Sequence, residues 1–161
     1  MDWVRLPPTL LAALLLTLPA AAQPHTHAAQ PAATPAAPAR NAAPKDASVY
    51  IGWPMDGAVL SPGPFKVWFG TRNFGVAPAG VTKGNTGHHH ILINTAVPTL
   101  NEPIPNDLQH LHFGLGQTET TLDLPPGRHT LQLLMGDADH VPHDPPVLSR
   151  RITITVRGPG R

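Results

Sequence analysis

The feature that most restricts what this chain can fold into is the alternation of its apolar residues at every second position. Phe65, Val67 and Phe69 alternate with Lys66 and Trp68, and Ile152, Ile154 and Val156 alternate with Thr153 and Thr155. Successive side chains on a strand point to opposite faces, so each stretch turns one face to a core. No window carries a sustained helical period, and Gly (14) and Pro (21) punctuate the sequence throughout. Strands are predicted at Ser48–Trp53, Phe65–Gly70, His89–Asn94, Leu111–Phe113, Thr118–Leu124, His129–Leu134 and Ile152–Val156. Pro125-Pro126-Gly127 predicts a hairpin turn between two of them. Seven short strands within residues 47–157 fit an all-β fold, an immunoglobulin-like antiparallel β-sandwich.

The rest of the chain reads differently. Residues 1–22 have the pattern of a cleavable signal peptide: Arg5, an apolar core from Leu10 to Leu18, and Ala20-Ala21-Ala22 before Gln23. Export to the periplasm or beyond follows, with no transmembrane span after cleavage. Residues 23–46 hold nine Ala and five Pro among 24 positions, the composition of a tether that cannot bury enough surface to order itself. Residues 158–161 form a tail. The formal net charge is +1, which leaves no basic patch for nucleic acid. The absence of cysteine excludes disulfides, thiolate metal sites, Cys nucleophiles and an N-terminal lipid anchor.

The distinctive chemistry lies in the histidines. Eight of the ten fall in the predicted domain, seven of them in three groups: His88-His89-His90, His110-Leu111-His112, and His140 with His143. Strand alternation puts His88 and His90 on one face and His89 on the other. It likewise puts His110 and His112 together, opposite Leu111 and Phe113. A His-x-His pair on a strand projects two imidazoles in parallel, about 7 Å apart at Cα. Neutral imidazole is the commonest protein metal ligand, and Cu²⁺ and Zn²⁺ accept nitrogen with supporting carboxylate. His90, His110, His112, His140 and His143 are expected to converge at one end of the sandwich. His88 and His89 are the next choices, with Asp137 or Asp144 in support, and nitrogens from different groups are expected within about 5 Å of one another. Such a site would weaken below about pH 6 as imidazole protonates. The competing reading is a structural hydrogen-bond network that holds long loops in place of disulfides.

Other chemistry is thinner. The domain has three Ser, one Tyr and two Glu, and no nucleophile elbow or phosphate-cradling loop. A metal-dependent hydrolase is a third reading, since three His and an open position form a catalytic zinc arrangement. His25 sits third from the predicted mature N-terminus, but Pro24 lacks the amide that an amino-terminal copper motif needs. Trp53, Trp68, Phe74 and Phe113 offer aromatic surface for a glycan.

Several runs carry a family resemblance. They are Asn85-Thr86-Gly87-His88-His89-His90, Asn101-Glu102-Pro103-Ile104-Pro105-Asn106 and His110-Leu111-His112-Phe113-Gly114. Pro125-Pro126-Gly127-Arg128-His129-Thr130-Leu131 and His140-Val141-Pro142-His143-Asp144-Pro145-Pro146 continue the series. Together they resemble the bacterial exported family called domain of unknown function 4399, over about residues 49–156. The resemblance implies a small secreted domain with these histidines as its hallmark, and it implies no activity. Pro54 to Leu60 also resembles the first strand of periplasmic copper-resistance sandwich proteins, a segment shared by many immunoglobulin-like domains. The combined expectation is an exported module that binds Cu²⁺ or Zn²⁺. The alternative is a cell-envelope module that recognises a glycan or a protein.

Overall fold

A computed structural model describes residues 40–158. The predicted signal peptide and most of the predicted tether, His25 included, lie outside the described residues.

Nine strands make up the domain: β1 (Ser48–Trp53), β2 (Val59–Leu60), β3 (Phe65–Arg72), β4 (Gly75–Val76), β5 (Thr86–Ile93), β6 (His110–Phe113), β7 (Glu119–Leu122), β8 (Gly127–Gly136) and β9 (Ile152–Val156). They form two sheets. The smaller has the order β1-β3-β7, and the larger the order β2-β9-β8-β5-β4, with β6 also paired to β5. Their inner faces meet in one core. Val49, Val67, Phe69 and Leu122 come from the smaller sheet. Ile91, Ile93, Phe113, Leu131, Leu133, Met135, Ile152 and Ile154 come from the larger. The architecture is the expected all-β sandwich, and both alternating stretches bury the predicted face. No helix among the described residues is long and apolar enough to cross a membrane.

Three details differ from expectation. The sheets are not wholly antiparallel, because the two-residue edge strands β2 and β4 pair in parallel with β9 and β5. Two residues are too few for an alternation signal, so neither strand was legible. Pro125 and Pro126 do not close a hairpin, since β7 belongs to the smaller sheet and β8 to the larger. The prolines carry the chain across the sandwich. Finally, Arg40 to Asp46, at the end of the predicted tether, lie against the domain. The Ala43 amide donates to the Asp144 carbonyl (3.0 Å) and the Asp144 amide to the Asn41 carbonyl (2.9 Å).

β5 is the central feature. From Gly87 to Ile93 every residue is buried, so both faces of this strand are covered. His89, Ile91 and Ile93 face the sandwich core. His88, His90 and Leu92 face outward, beneath segments 94–109 and 137–149. There Leu92, Leu134 and Ile104 form a second small apolar cluster, with Val97 and Leu148 against it.

Candidate metal centre

The outward face of β5 and its neighbours gathers four imidazoles. His88 and His90 come from β5. His112 comes from β6, where the register sets it directly opposite His90. His140 comes from the loop after β8, whose terminal Gly136 is opposite His88. His88 lies 4.9 Å, ring centre to ring centre, from each of His90, His112 and His140. His90 and His112 are 5.0 Å apart, and His112 and His140 4.8 Å. One ring nitrogen from each of His88, His112 and His140 lies within 4.8 Å of the others. Three chain segments therefore meet within the distance expected from the sequence.

Local sequence explains how so many rings fit. A Cβ added to Gly136 would sit 3.1 Å from His90 Nε2 and 3.2 Å from His140 Cα. A Cβ on Gly114 would sit 2.3 Å from His112 Cε1, so that ring lies across the glycine. His140 adopts a left-handed backbone (φ 69°), which a non-glycine residue occupies only when its surroundings hold it there. Asp137 supplies the hold. Its Oδ1 accepts from the amides of Asp139 (3.0 Å) and Val141 (2.9 Å). The His140 amide donates to the Asp137 carbonyl (3.0 Å) and the Asp137 amide to the Val141 carbonyl (2.9 Å), closing the turn.

The electrostatics favour neutral rings. His88 and His90 are fully buried, while His112 and His140 are half-buried and form the solvent side of the cluster. Desolvation, then repulsion from neighbouring imidazoles, lowers the pKa of His88 to about 4 and that of His90 to about 2. Burial and His140 lower that of His112 as well. A neutral imidazole exposes a lone pair, the form that binds metal. The polar inventory is incomplete. His88 and His90 share one hydrogen bond between their Nε2 atoms (3.1 Å). Nδ1 of both rings and Nε2 of His112 are buried without a partner. An unpaired buried polar atom costs about 1–3 kcal/mol, which an ion bound at His112 Nε2 would relieve there.

The remaining predicted site residues stand elsewhere. His89 lies inside the sandwich, 4.6 Å from the Phe69 ring, with Nδ1 donating to the Gln117 carbonyl (3.1 Å). His110 faces outward but lies opposite Leu92, and its Nδ1 donates to Asp107 (2.9 Å). His143 is buried against Phe74, ring centres 5.0 Å apart. Asp144 is exposed and lies 3.6 Å from the Arg40 guanidinium. Asp137 is committed to backbone amides and to the Asn41 side chain. His129 bridges strands, accepting from Asn94 (2.9 Å) at Nδ1 and donating to the Pro125 carbonyl (2.8 Å) at Nε2. Phe74 and Phe113 are buried, so of the four aromatics considered for a glycan only Trp53 and Trp68 reach solvent. The sequence reading did not find the two glycines that make room for the rings. Gly136 ends and Gly114 directly follows a strand that carries histidines, which is the only signal they offer.

No curated protein and no solved structure matches the chain. The histidines of all three groups lie within residues 67–157, the span that matches the family described as domain of unknown function DUF4399. That span is more than half of the chain, which therefore belongs to this family.

Proposed function

We propose that this chain is an exported module that binds a divalent transition metal, Zn²⁺ or Cu²⁺, through His88, His90, His112 and His140. The observation that carries the reading is the meeting of four imidazoles from three separate segments, with one ring nitrogen each of His88, His112 and His140 within 4.8 Å of the others and His112 Nε2 buried and unpaired. The donor set is all nitrogen. It matches the borderline ions, which accept imidazole, and offers no thiolate or thioether to a softer one. Met135 lies on the core face and Met55 is exposed on the surface, so neither supplies sulfur. Ligand nitrogens on one tetrahedral ion stand about 3.3 Å apart. The His88–His90 pair is already at that spacing (3.1 Å), so closure falls to His112 and His140, which are half-buried and freer to turn.

Titration of tagless protein with Zn²⁺ and Cu²⁺, followed by metal analysis after desalting, tests the reading. One ion retained per chain supports it. Substoichiometric metal for both ions, with no heat of binding, overturns it.

A second reading has one observation in its favour. Trp53 and Trp68 pair across β1 and β3 on the outer face of the smaller sheet, 42% and 47% exposed. Chelator-insensitive retention on cell-wall glycan would favour that face as the functional one. The Trp68 ring also has a structural neighbour, since it lies across Gly52 on the adjacent strand.

A further inference from the structure

Resting on the metal-binding reading, we infer that the segment Arg40–Ala43, where the chain joins the domain, is a strap that positions the His140 ligand, so that metal binding and strap docking are coupled.

His140 is the one member of the cluster that does not stand on a strand. Its position depends on the 137–144 loop, which is held by the Ile104 amide at the His140 carbonyl (2.9 Å), by the Gly80 amide at the Ala138 carbonyl (2.9 Å) and by two further sets of contacts. One is the Asp137 turn. The other is the strap, which runs alongside in a parallel bridge between Ala42 and Asp144. Asn41 Nδ2 donates to Asp137 Oδ2 (2.8 Å), the oxygen that the turn amides leave free. The Arg40 guanidinium is largely buried, with its side chain 13% exposed. Its Nε donates to the Pro142 carbonyl (3.0 Å) and its Nη2 to the His143 carbonyl. The backbone pairs of Ala43 and Asp144, and of Asp144 and Asn41, complete the seam.

The strap thus touches the loop at Asp137, Pro142, His143 and Asp144, on both sides of His140. Among the described residues it shares no hydrogen bond with the other three imidazoles, which strands hold. A cleft of about 570 Å³ lies between the strap, residues 81–86 and Asp137–Asp139, so one flank of the strap is open to solvent. Strap and loop pair mainly through backbone and a few polar groups rather than a large apolar interface, which is the pattern of a segment that opens locally before the core does. Undocking frees Asp137 Oδ2 and the Pro142 and His143 carbonyls together, and His140 keeps only the Asp137 turn and the Ile104 amide to hold it. Coupling of this kind is reciprocal: whatever docking adds to metal affinity, metal adds to docking. Arg40, Asn41 and Asp137 are therefore positioning residues, and the state of the metal site reaches the chain that precedes the domain.

The test uses the full chain with Zn²⁺ and two readouts. The first is Zn²⁺ affinity and release to a chelator in Arg40→Ala, Asn41→Ala and Asn41→Asp, the last setting a second carboxylate against Asp137 without opening a cavity. Affinity is expected to fall about tenfold and release to quicken, as for groups that orient a ligand from behind. The Co²⁺-loaded visible spectrum should change through displacement of His140, a signature that simple destabilisation would not produce. The second readout is tryptic cleavage after Arg40 and Lys45 in the wild type, which saturating Zn²⁺ should slow. Wild-type Zn²⁺ binding with variants that bind equally well, unchanged Co²⁺ spectra and metal-independent cleavage would overturn the strap and leave the metal site standing. A wild type that binds no Zn²⁺ overturns both.

Discussion

Each histidine carries a different assignment, and single substitutions separate them. His112→Ala or His140→Ala removes a proposed ligand and should weaken Zn²⁺ binding by at least about a hundredfold, beyond what loss of an orienting neighbour costs. His110→Ala and His143→Phe, the latter keeping a ring beside Phe74, should leave affinity within about threefold, because His110 is paired with Asp107 and His143 lies against Phe74. Calorimetric titration of the four variants distinguishes this set from the one expected from sequence. Equal losses for His110 and His112 would contradict it. His89 provides a separate check. Burial lowers its pKa to about 4, against 6.5 for the free group. The unfolded chain therefore takes up a proton that the folded one refuses, and stability falls as pH drops from about 6.5 toward 4. The integrated effect is on the order of 3 kcal/mol, fully felt below pH 4. His89→Phe, which keeps a ring beside Phe69, should reduce that acid sensitivity and leave Zn²⁺ affinity unchanged. Chemical denaturation of both proteins at pH 7 and pH 5 measures the difference.

At the scale of elements, alternation within a strand was legible, while pairing between strands was not. The sequence places His88 and His90 on one face, His89 on the other, and Leu111 and Phe113 toward the core, and the strands obey. It does not say that His112, rather than His110, stands opposite His90. That depends on the register of β5 against β6, which the intervening segment and its packing set. Nor does loop sequence reveal that Asp137 spends its oxygens on amides, or that two residues of β4 suffice to extend an edge. The glycines that end β8 and follow β6 give the register its consequence. Gly114→Ala puts a methyl group where the His112 ring now lies. The backbone there is ordinary, so the ring must swing aside while the fold stands. Zn²⁺ affinity should fall about tenfold or more with little change in the melting temperature of the metal-free protein. A variant that binds normally would show that the His112 ring, as placed here, is not the bound conformation.

For the whole molecule, the proposed metal site lies in a domain that has no cysteine and therefore no disulfide crosslink. Three segments that the fold otherwise joins only through loops converge on one point, so an ion there would bind the folded state and not the open chain. At a free concentration about a hundred times the dissociation constant, such an ion adds about 2.7 kcal/mol, and the melting temperature should rise by about 10 °C. pH then separates two effects of opposite sign. His88, His89 and His90 all titrate below their unfolded value in the metal-free protein. Its stability should therefore decline steadily as pH falls from about 6.5 toward 4. The depressed pKa values of His88, His90 and His112 keep those three rings deprotonated in the folded state, so at them protons compete with metal only at lower pH than they do for imidazole in water. The cluster should hold Zn²⁺ below pH 6, where a surface histidine pair would release it. Melting curves at half-unit steps from pH 7.5 to 4.5, with Zn²⁺ and with chelator, should give two lines that stay apart through pH 6 and merge only near the acid end. Lines that merge at pH 6.5 would mean exposed, ordinary imidazoles, and coincident lines at every pH would mean that the four rings hold no ion.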